Sequence, residues 1–566
     1  MASVVSWLGR LAFVVVALAC RSSPRQESAA RPAALAPAVV APAIVAQAAE
    51  PLLAPGPFAV GFRSSWAFDE GRTYRTVFDE GKTYGAEKSP RPVLVLLWYP
   101  ARDPGGEPMP HGRYFSIASD DARLTRFADA LSAYARGVFA EQVVGKPEAD
   151  LDADGRAELA AALAAPTLCR LDAAPAGGPF PLVVYHCGAG SSFEDNAALC
   201  AYLASHGYVV LGSAFPRADG SALNIDAQRG SAEDVQFLVR WAHALAFADC
   251  RHVGLVGHSA GAQAMLMFAS QPGCVGDALV LLDTTQDYYA LGMPLHESVV
   301  REATEGIAVL TRPMLVAAGP EAMFALCDTL VNAERTYLTV PELGHDEYIS
   351  QGHQRLDRIA RQAAAKPAAA DKAELARTPL VRTNYRALCE TVREFLDAEL
   401  RGSPEFASCV ERARAQPWDP TVPCLVRVPR GVSDPEPYDV ESDAPPTPRQ
   451  FRRLLARDGV EDACLVLERF RDAKPQSPLF SSTMFAGSML YRMLEDGRRD
   501  DAARYYAALK AIPLPVMSLF EFLADISGMQ KKPERALHLM QVAHDLDPED
   551  AAVAAKLHTL EEQQPK

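Results

Sequence analysis

Gly257-His258-Ser259-Ala260-Gly261 is the sharpest chemical pattern in the chain. A serine hydroxyl is a weak nucleophile until a base removes its proton, and the base needs an acid to orient it. A serine held on a strand-to-helix turn is exposed to such a base. Glycines two residues to either side remove the side chains that would collide with the strand and the helix. The five-residue pattern alone arises by chance about once in five or six chains of this length, so its context decides. Residues 251–256 (RHVGLV) read as the required strand, and 262–270 (AQAMLMFAS) as the required helix. The pattern therefore points to acyl transfer through a covalent serine intermediate, ahead of a glycine-rich turn around a capping serine. His258 lies inside the motif and reads as a packing residue that points elsewhere.

On such a turn the partners follow in the order serine, acid, histidine. His296, His345 and His353 all follow Ser259 within the strand-bearing region. His345 leaves the last strand in Pro341-Glu342-Leu343-Gly344-His345-Asp346, on a loop able to reach over the nucleophile. His353 falls on the next helix and His296 in an unassigned stretch. For the acid, Asp283 directly ends the strand ALVLLD and is favoured because a strand end is a rigid support. Asp287, Glu321 and Asp328 stay open as alternatives, the last two after the strand PMLVAAGP. An oxyanion needs two backbone N–H groups where negative charge develops. Ala260 supplies one. The loop after PLVVYHCGAG is expected to supply the other, its Gly188 and Gly190 letting the backbone curl inward.

The elements that must position these residues are legible as a rhythm. From Pro179, six short Val- and Leu-rich runs (PLVVYHCG, YVVLGSAF, HVGLVGHS, ALVLLDTT, PMLVAAGP, TYLTVPEL) are mostly separated by helical stretches. Apolar runs without polar alternation, spaced by helices, predict a parallel sheet buried on both faces. Upstream, residues 58–101 read as strands and carry a short direct repeat, FDEGRTY (68–74) and FDEGKTY (78–84), expected as a hairpin duplication. Residues 115–165 are Ala- and Leu-rich and read as a helical insertion, either a lid or a cover for the far face. Within it, Asp150 to Gly155 matches the first half of a calcium loop. The twelfth position is Ala161, not the bidentate Glu that calcium needs, so a solvated acidic turn is expected. Residues 354–400 read as helix again.

The chain has 566 residues, 49% hydrophobic and 22% charged, with a formal net charge of −15. That length predicts about three to four domains, and the negative balance argues against a general nucleic-acid binder. Beyond the N-terminus no stretch reaches the ~20 apolar residues that span a bilayer, which excludes a multi-spanning protein. Eleven cysteines without a C-x-x-C pair argue against structural zinc. Some could pair in an oxidising compartment; buried free thiols are an equal reading.

Residues 1–20 carry one Arg before the apolar run Leu11–Ala19 and end in Ala17-Leu18-Ala19-Cys20. The run is too short to span and suits a signal peptide. Small residues before a cysteine resemble a bacterial lipoprotein signal, with Cys20 lipidated; ordinary cleavage after Ala19 is the alternative. Residues 21–57 are Ala- and Pro-rich and read as a semi-extended tether. Together these imply export and membrane attachment by a lipid anchor alone.

PFPLVVYHCGAGSSFEDNAALCAYLASHGYVVLG, followed by GHSAG, resembles the α/β-hydrolase superfamily, and more narrowly the platelet-activating-factor acetylhydrolase and dienelactone-hydrolase-like group. Val60-Gly61-Phe62 and Leu97-Trp98-Tyr99-Pro100-Ala101 match that group's opening strands. The resemblance covers roughly 57–400 and implies an α/β-hydrolase fold over 58–402. It supports Asp283 as the acid, and it carries the second oxyanion donor to Ala189. The acetylhydrolase branch usually has His-Gly-x-Gly in this loop; here Cys187 stands where that His would be, with His186 one position earlier. The expected activity is a serine esterase acting on a small-molecule or lipid ester, with no metal or organic cofactor. A peptidase or thioesterase on the same residues, or a non-catalytic scaffold, are the rival readings.

Residues 403–446 are Pro-rich without a clear period and read as a linker. Residues 447–566 turn helical. Phe520, Leu523, Ala524, Ala536, Met540, Ala543 and Pro548 fit a tetratricopeptide spacing, with a preceding helix pair one period earlier turning at Gly497. A small all-α repeat region that binds a protein partner or shapes the substrate approach is expected there.

Overall fold

The computed structural model describes residues 52–563, except 74–75, 79–81, 85–89, 103–104, 122–123, 216–224, 292, 294–295, 368–370, 416–420, 434–437, 476, 481, 513 and 530–531. The expected signal segment with Cys20, and the tether as far as residue 51, lie outside the described residues.

The strands are β1 (Ala59–Thr73), β2 (Thr76–Phe78), β3 (Lys82–Tyr84), β4 (Pro90–Ala101), β5 (Cys169–Leu171), β6 (Phe180–His186), β7 (Val209–Gly212), β8 (Ala248–His258), β9 (Ala278–Leu282), β10 (Met314–Ala318), β11 (Arg335–Thr339) and β12 (Cys424–Val428). The helices of the same part are α1 (Thr125–Val144), α2 (Ala153–Ala164), α3 (Ala197–Ser205), α4 (Ile225–Ala242), α5 (Ala260–Ala269), α6 (Glu297–Glu305), α7 (Ser350–Ala365), α8 (Lys372–Arg401) and α9 (Glu405–Ala415). Ten strands form one mixed sheet in the order β12-β11-β10-β9-β8-β6-β7-β4-β1-β5. The neighbours from β7 through β6, β8, β9 and β10 to β11 pair in parallel. Each of the six apolar runs after Pro179 contributes one of these strands. Val253, Leu255, Val256, Leu279, Val280, Leu281, Leu315 and Val316 are all buried, as covering both faces of a parallel sheet requires. The chain runs from β6 outward to β7, then crosses back to β8 on the other side of β6. A crevice opens at the carboxyl ends of strands where the order reverses in this way, and ligand sites of open α/β sheets form there.

The direct repeat does not give two hairpins: the first copy runs on as the end of β1, and the antiparallel pair β2–β3 forms around the second copy alone. Asp152 caps α2, its carboxylate accepting the Gly155 N–H at 2.8 Å, so the acidic turn serves a helix N-terminus. Among the described residues no group of His, Cys, Asp and Glu could hold a metal ion, and no helix is long and apolar enough to cross a membrane. Cys169, Cys200, Cys274, Cys327, Cys389 and Cys464 are buried thiols.

The span 403–446 differs from the expected linker. It carries α9, which buries Phe406 and Val410, and β12, which pairs antiparallel with β11 as an edge strand. Five residues between Pro423 and Pro429 leave too short a pattern to read as a strand. An edge position tolerates the flanking prolines because one side of the strand donates to nothing.

The C-terminal helices are α10 (Pro448–Arg457), α11 (Val460–Arg471), α12 (Thr483–Glu495), α13 (Arg499–Lys510), α14 (Ser518–Met529), α15 (Pro533–Leu546) and α16 (Ala551–Glu562). Phe520, Leu523, Ala524, Ala536, Met540 and Ala543 are buried, and Gly497 takes a left-handed φ of 74° between α12 and α13. The core of these helices is not self-contained. It includes Tyr289, Ala290, Met293 and Met323 from the loops that follow β9 and β10.

Candidate active site

β8 ends at His258 and α5 begins at Ala260, leaving Ser259 alone on the turn with φ 54° and ψ −122°. A residue with a Cβ rarely adopts such a backbone, and holding it there costs of order 1–3 kcal/mol. The flanking glycines make the turn possible. A Cβ on Gly257 would lie 2.6 Å from the Ala262 nitrogen, and one on Gly261 would overlap the carbonyl oxygens of His186 and Cys187.

The structure brings three of the sequence-derived residues into one line. His345 Nε2 lies 3.0 Å from Ser259 Oγ, and His345 Nδ1 lies 2.7 Å from Asp283 Oδ2. Asp283 leaves β9 directly, and His345 opens a short 3-10 turn (His345–Tyr348) after β11. The two bonds assign the tautomer: Nδ1–H donates to the carboxylate and Nε2 faces the hydroxyl. Burial opposes protonation of His345, but the hydrogen bond and charge of Asp283 outweigh it and raise its pKa above the ordinary histidine value. A base so placed can take the serine proton and hold the resulting charge against the carboxylate.

The other candidates have different neighbours. His353 Nε2 faces the Glu347 carbonyl at 3.1 Å, and burial lowers its pKa to about 4. His296 Nδ1 lies 3.2 Å from Gln263 Nε2, and burial lowers its pKa to about 3. Asp287 is buried against Cys327, with its carboxyl pushed well up by burial. Asp328 faces Arg449, Arg452 and Arg453 of α10. Glu321 lies close enough to Asp283 for the two charges to interact, and burial raises its pKa.

Ala260 is the first residue of α5, so its N–H has no intrahelical acceptor and sits at the positive end of the helix. Ala189 lies in the β6–α3 loop, whose curl is set by Gly190 at φ 74°. That loop is pinned from below. Asp195 accepts the Gly188 N–H at 3.2 Å and the Tyr185 hydroxyl at 2.7 Å. Burial raises the Asp195 carboxyl to about 6. From above, Tyr134 of α1 donates to the Gly190 carbonyl at 2.9 Å. The helical insertion is therefore tied to the β6–α3 loop at this point.

His258 does more than pack. Its Nε2 lies 3.1 Å from the His345 carbonyl, and the two rings are 4.8 Å apart. It is buried, and a Cβ on Gly188 would come within 2.8 Å of its Nδ1. It thus lies between the β6–α3 loop and the turn that carries His345. Sequence reasoning missed this contact because the motif gives no sign of where the His258 ring points, and missed those of Tyr134 and Asp195 because neither belongs to a local pattern around Ser259.

No protein-family model matches the chain, and no curated protein matches it. Among solved structures it is similar to a ferulic acid esterase from Streptomyces cinnamoneus, at 16% identity and a TM-score of 0.40, over 66% of this chain and 98% of that one.

Proposed function

We propose that this chain is a serine hydrolase of the α/β-hydrolase kind that cleaves carboxylic esters through an acyl-enzyme. The observation that carries the reading is the single line from Ser259 Oγ through His345 to Asp283. In this reading Ser259 attacks the ester carbonyl while His345 Nε2 accepts its proton. Asp283 holds the imidazole and the charge it acquires. The N–H groups of Ala260 and Ala189 receive the oxyanion. His345 then protonates the departing alkoxide. In the second half it activates a water that releases the acid and regenerates the serine. The oxyanion loop and opening strands favour an enzyme resembling the acetylhydrolase and dienelactone-hydrolase group. The residues before Cys20 favour export with a lipid on that cysteine, and the helical spacing after 447 favours tetratricopeptide-like repeats able to take a protein partner.

The test is reaction with a fluorophosphonate probe, which labels an activated serine whatever the natural substrate. Labelling of the full chain and none of Ser259→Ala supports the reading; no labelling of either returns the chain to a scaffold. A panel of matched ester, thioester and amide substrates then ranks the leaving groups. Turnover near wild type in Asp283→Asn with collapse in Glu321→Gln would move the acid to the later strand. For the anchor, Cys20→Ser should release the protein from the membrane fraction, and unchanged retention would refute it.

A further inference from the structure

We propose that Tyr288 is a positioning residue of this site, its phenol holding the Asp283 oxygen that His345 does not use. The proposal rests on the roles given above to Ser259, His345 and Asp283.

His345 engages Asp283 Oδ2, and Tyr288 donates its hydroxyl proton to Oδ1. The same hydroxyl accepts the Gly319 N–H at 2.7 Å. A phenol has one proton, and an N–H arriving at its oxygen leaves that proton free to point at the carboxylate. Both oxygens of Asp283 are then held from different sides. The torsion that turns a carboxylate is soft and roughly two-fold, so a carboxylate gripped by one oxygen alone would swing. Asp283 also sits on a backbone with φ 45°, which persists only where the surroundings over-determine it.

Tyr288 is in turn well anchored. It closes a 3-10 turn (Thr285–Tyr288). The next two residues, Tyr289 and Ala290, are buried in the core of the C-terminal helices, where the Ala290 N–H donates to Ser488 Oγ at 3.2 Å. The titratable groups around the phenol are Asp283 at the end of β9, Glu321 in the loop after β10, and Tyr348 in the turn after β11. His345 and Asp346 lie beyond Asp283. Burial and the Asp283 charge keep the Tyr288 proton on its oxygen, so it remains a donor wherever the site works.

Tyr288→Phe removes the hydroxyl and keeps the ring. Asp283 then carries a less neutralised charge and stabilises the protonated imidazole of His345 more strongly, while its own orientation is freed. The experiment follows the rate of fluorophosphonate labelling of the full chain from pH about 5 to 9, with kcat and KM on p-nitrophenyl acetate. The expected result is an acid limb shifted upward by about 0.5–1 pH unit and kcat lowered about 3- to 10-fold at unchanged KM. Gly319→Ala, whose methyl would lie 2.8 Å from Glu321 Oε2, the end of a side chain that can swing aside, and 3.1 Å from the Tyr288 hydroxyl, should move the limb the same way by less. It serves as the second arm should the first variant fold poorly by circular dichroism. An unmoved limb overturns the proposal, whether or not the rate falls, because a packing role would change rate or stability without changing the titration of His345. A wild-type chain that does not label overturns the underlying hydrolase reading instead, and the Ser259→Ala blank separates the two failures.

Discussion

Ser259 and Asp283 occupy equivalent places on neighbouring strands. Each follows a parallel strand and donates its N–H to the next one, Ser259 to Leu282 O at 2.9 Å and Asp283 to Ala317 O at 2.7 Å. Each holds a positive φ that a residue with a side chain rarely takes, 54° and 45°. What holds them there differs. Ser259 is flanked by Gly257 and Gly261, whose missing side chains make room for the turn. Asp283 stands between Leu282 and Thr284. It is held by Tyr288 and His345, and its loop is docked into helices that begin more than 150 residues later, through Ser488. One strained backbone is thus specified within five residues and the other by tertiary contacts. Strain needs something to oppose it, but the opposing groups can be local or remote, and only the local kind leaves a motif.

The largest expected effect compares the two residues directly. Ser259→Ala should lower kcat on a short-chain ester by about 10⁴–10⁶, Asp283→Asn by about 10⁴, and the double variant no further than Ser259→Ala alone. Additive losses would show that the residues do not act as one unit.

The remote support should fail without touching the Ser259 turn. Asp328 lies in the loop after β10 and faces Arg449, Arg452 and Arg453, with both Asp328 and Arg449 about 6% exposed at the side chain. Removing one member of a buried charge cluster costs about 3–5 kcal/mol. Asp328→Asn should lower the urea midpoint accordingly. It should also raise hydrogen exchange in 284–291 and 319–330 more than in 257–263. Equal exposure of both regions would erase the distinction drawn here.

The local support should fail in the opposite sense. The methyl of Gly261→Ala would overlap the His186 and Cys187 carbonyls, which are backbone and cannot swing aside. A loss of about 1–3 kcal/mol is expected, with labelling of Ser259 impaired while exchange in 284–291 stays as in the wild type.

The smallest expected effect is one of pH. Because Asp283 raises the folded pKa of His345 above its unfolded value near about 6.5, the pair's stabilisation is fully present below that value. It is lost as pH rises through the folded pKa. Activity needs the neutral imidazole and should rise over the same interval. In Asp283→Asn both the stability change and the residual activity limb should move to lower pH, measured by thermal melts and by labelling rates. A limb unchanged from wild type would place the controlling charge elsewhere.

Much of the sheet was legible because each parallel strand is buried on both faces and so carries an uninterrupted apolar run, as in 253–256 and 278–282. β12 was not, because an antiparallel edge strand between two prolines carries only five residues of pattern. The insertion at 115–165 was legible as helix but not as a neighbour of the β6–α3 loop. Tyr134 reaches Gly190 across 56 residues, and nothing near either marks the contact.

What the chain's own residues determined by themselves was the Ser259 turn. Its requirement for two missing side chains and for a strand before and a helix after is met within about twenty consecutive positions. Which acid serves His345 was left among Asp283, Asp287, Glu321 and Asp328, since each follows a strand and each has the right chemistry. Only the tertiary structure separated them. A hydrogen bond acts over about 3 Å, the carboxylate within that reach of His345 Nδ1, Asp283, is 62 residues away along the chain, and the pairing of β9, β10 and β11 decides which one arrives.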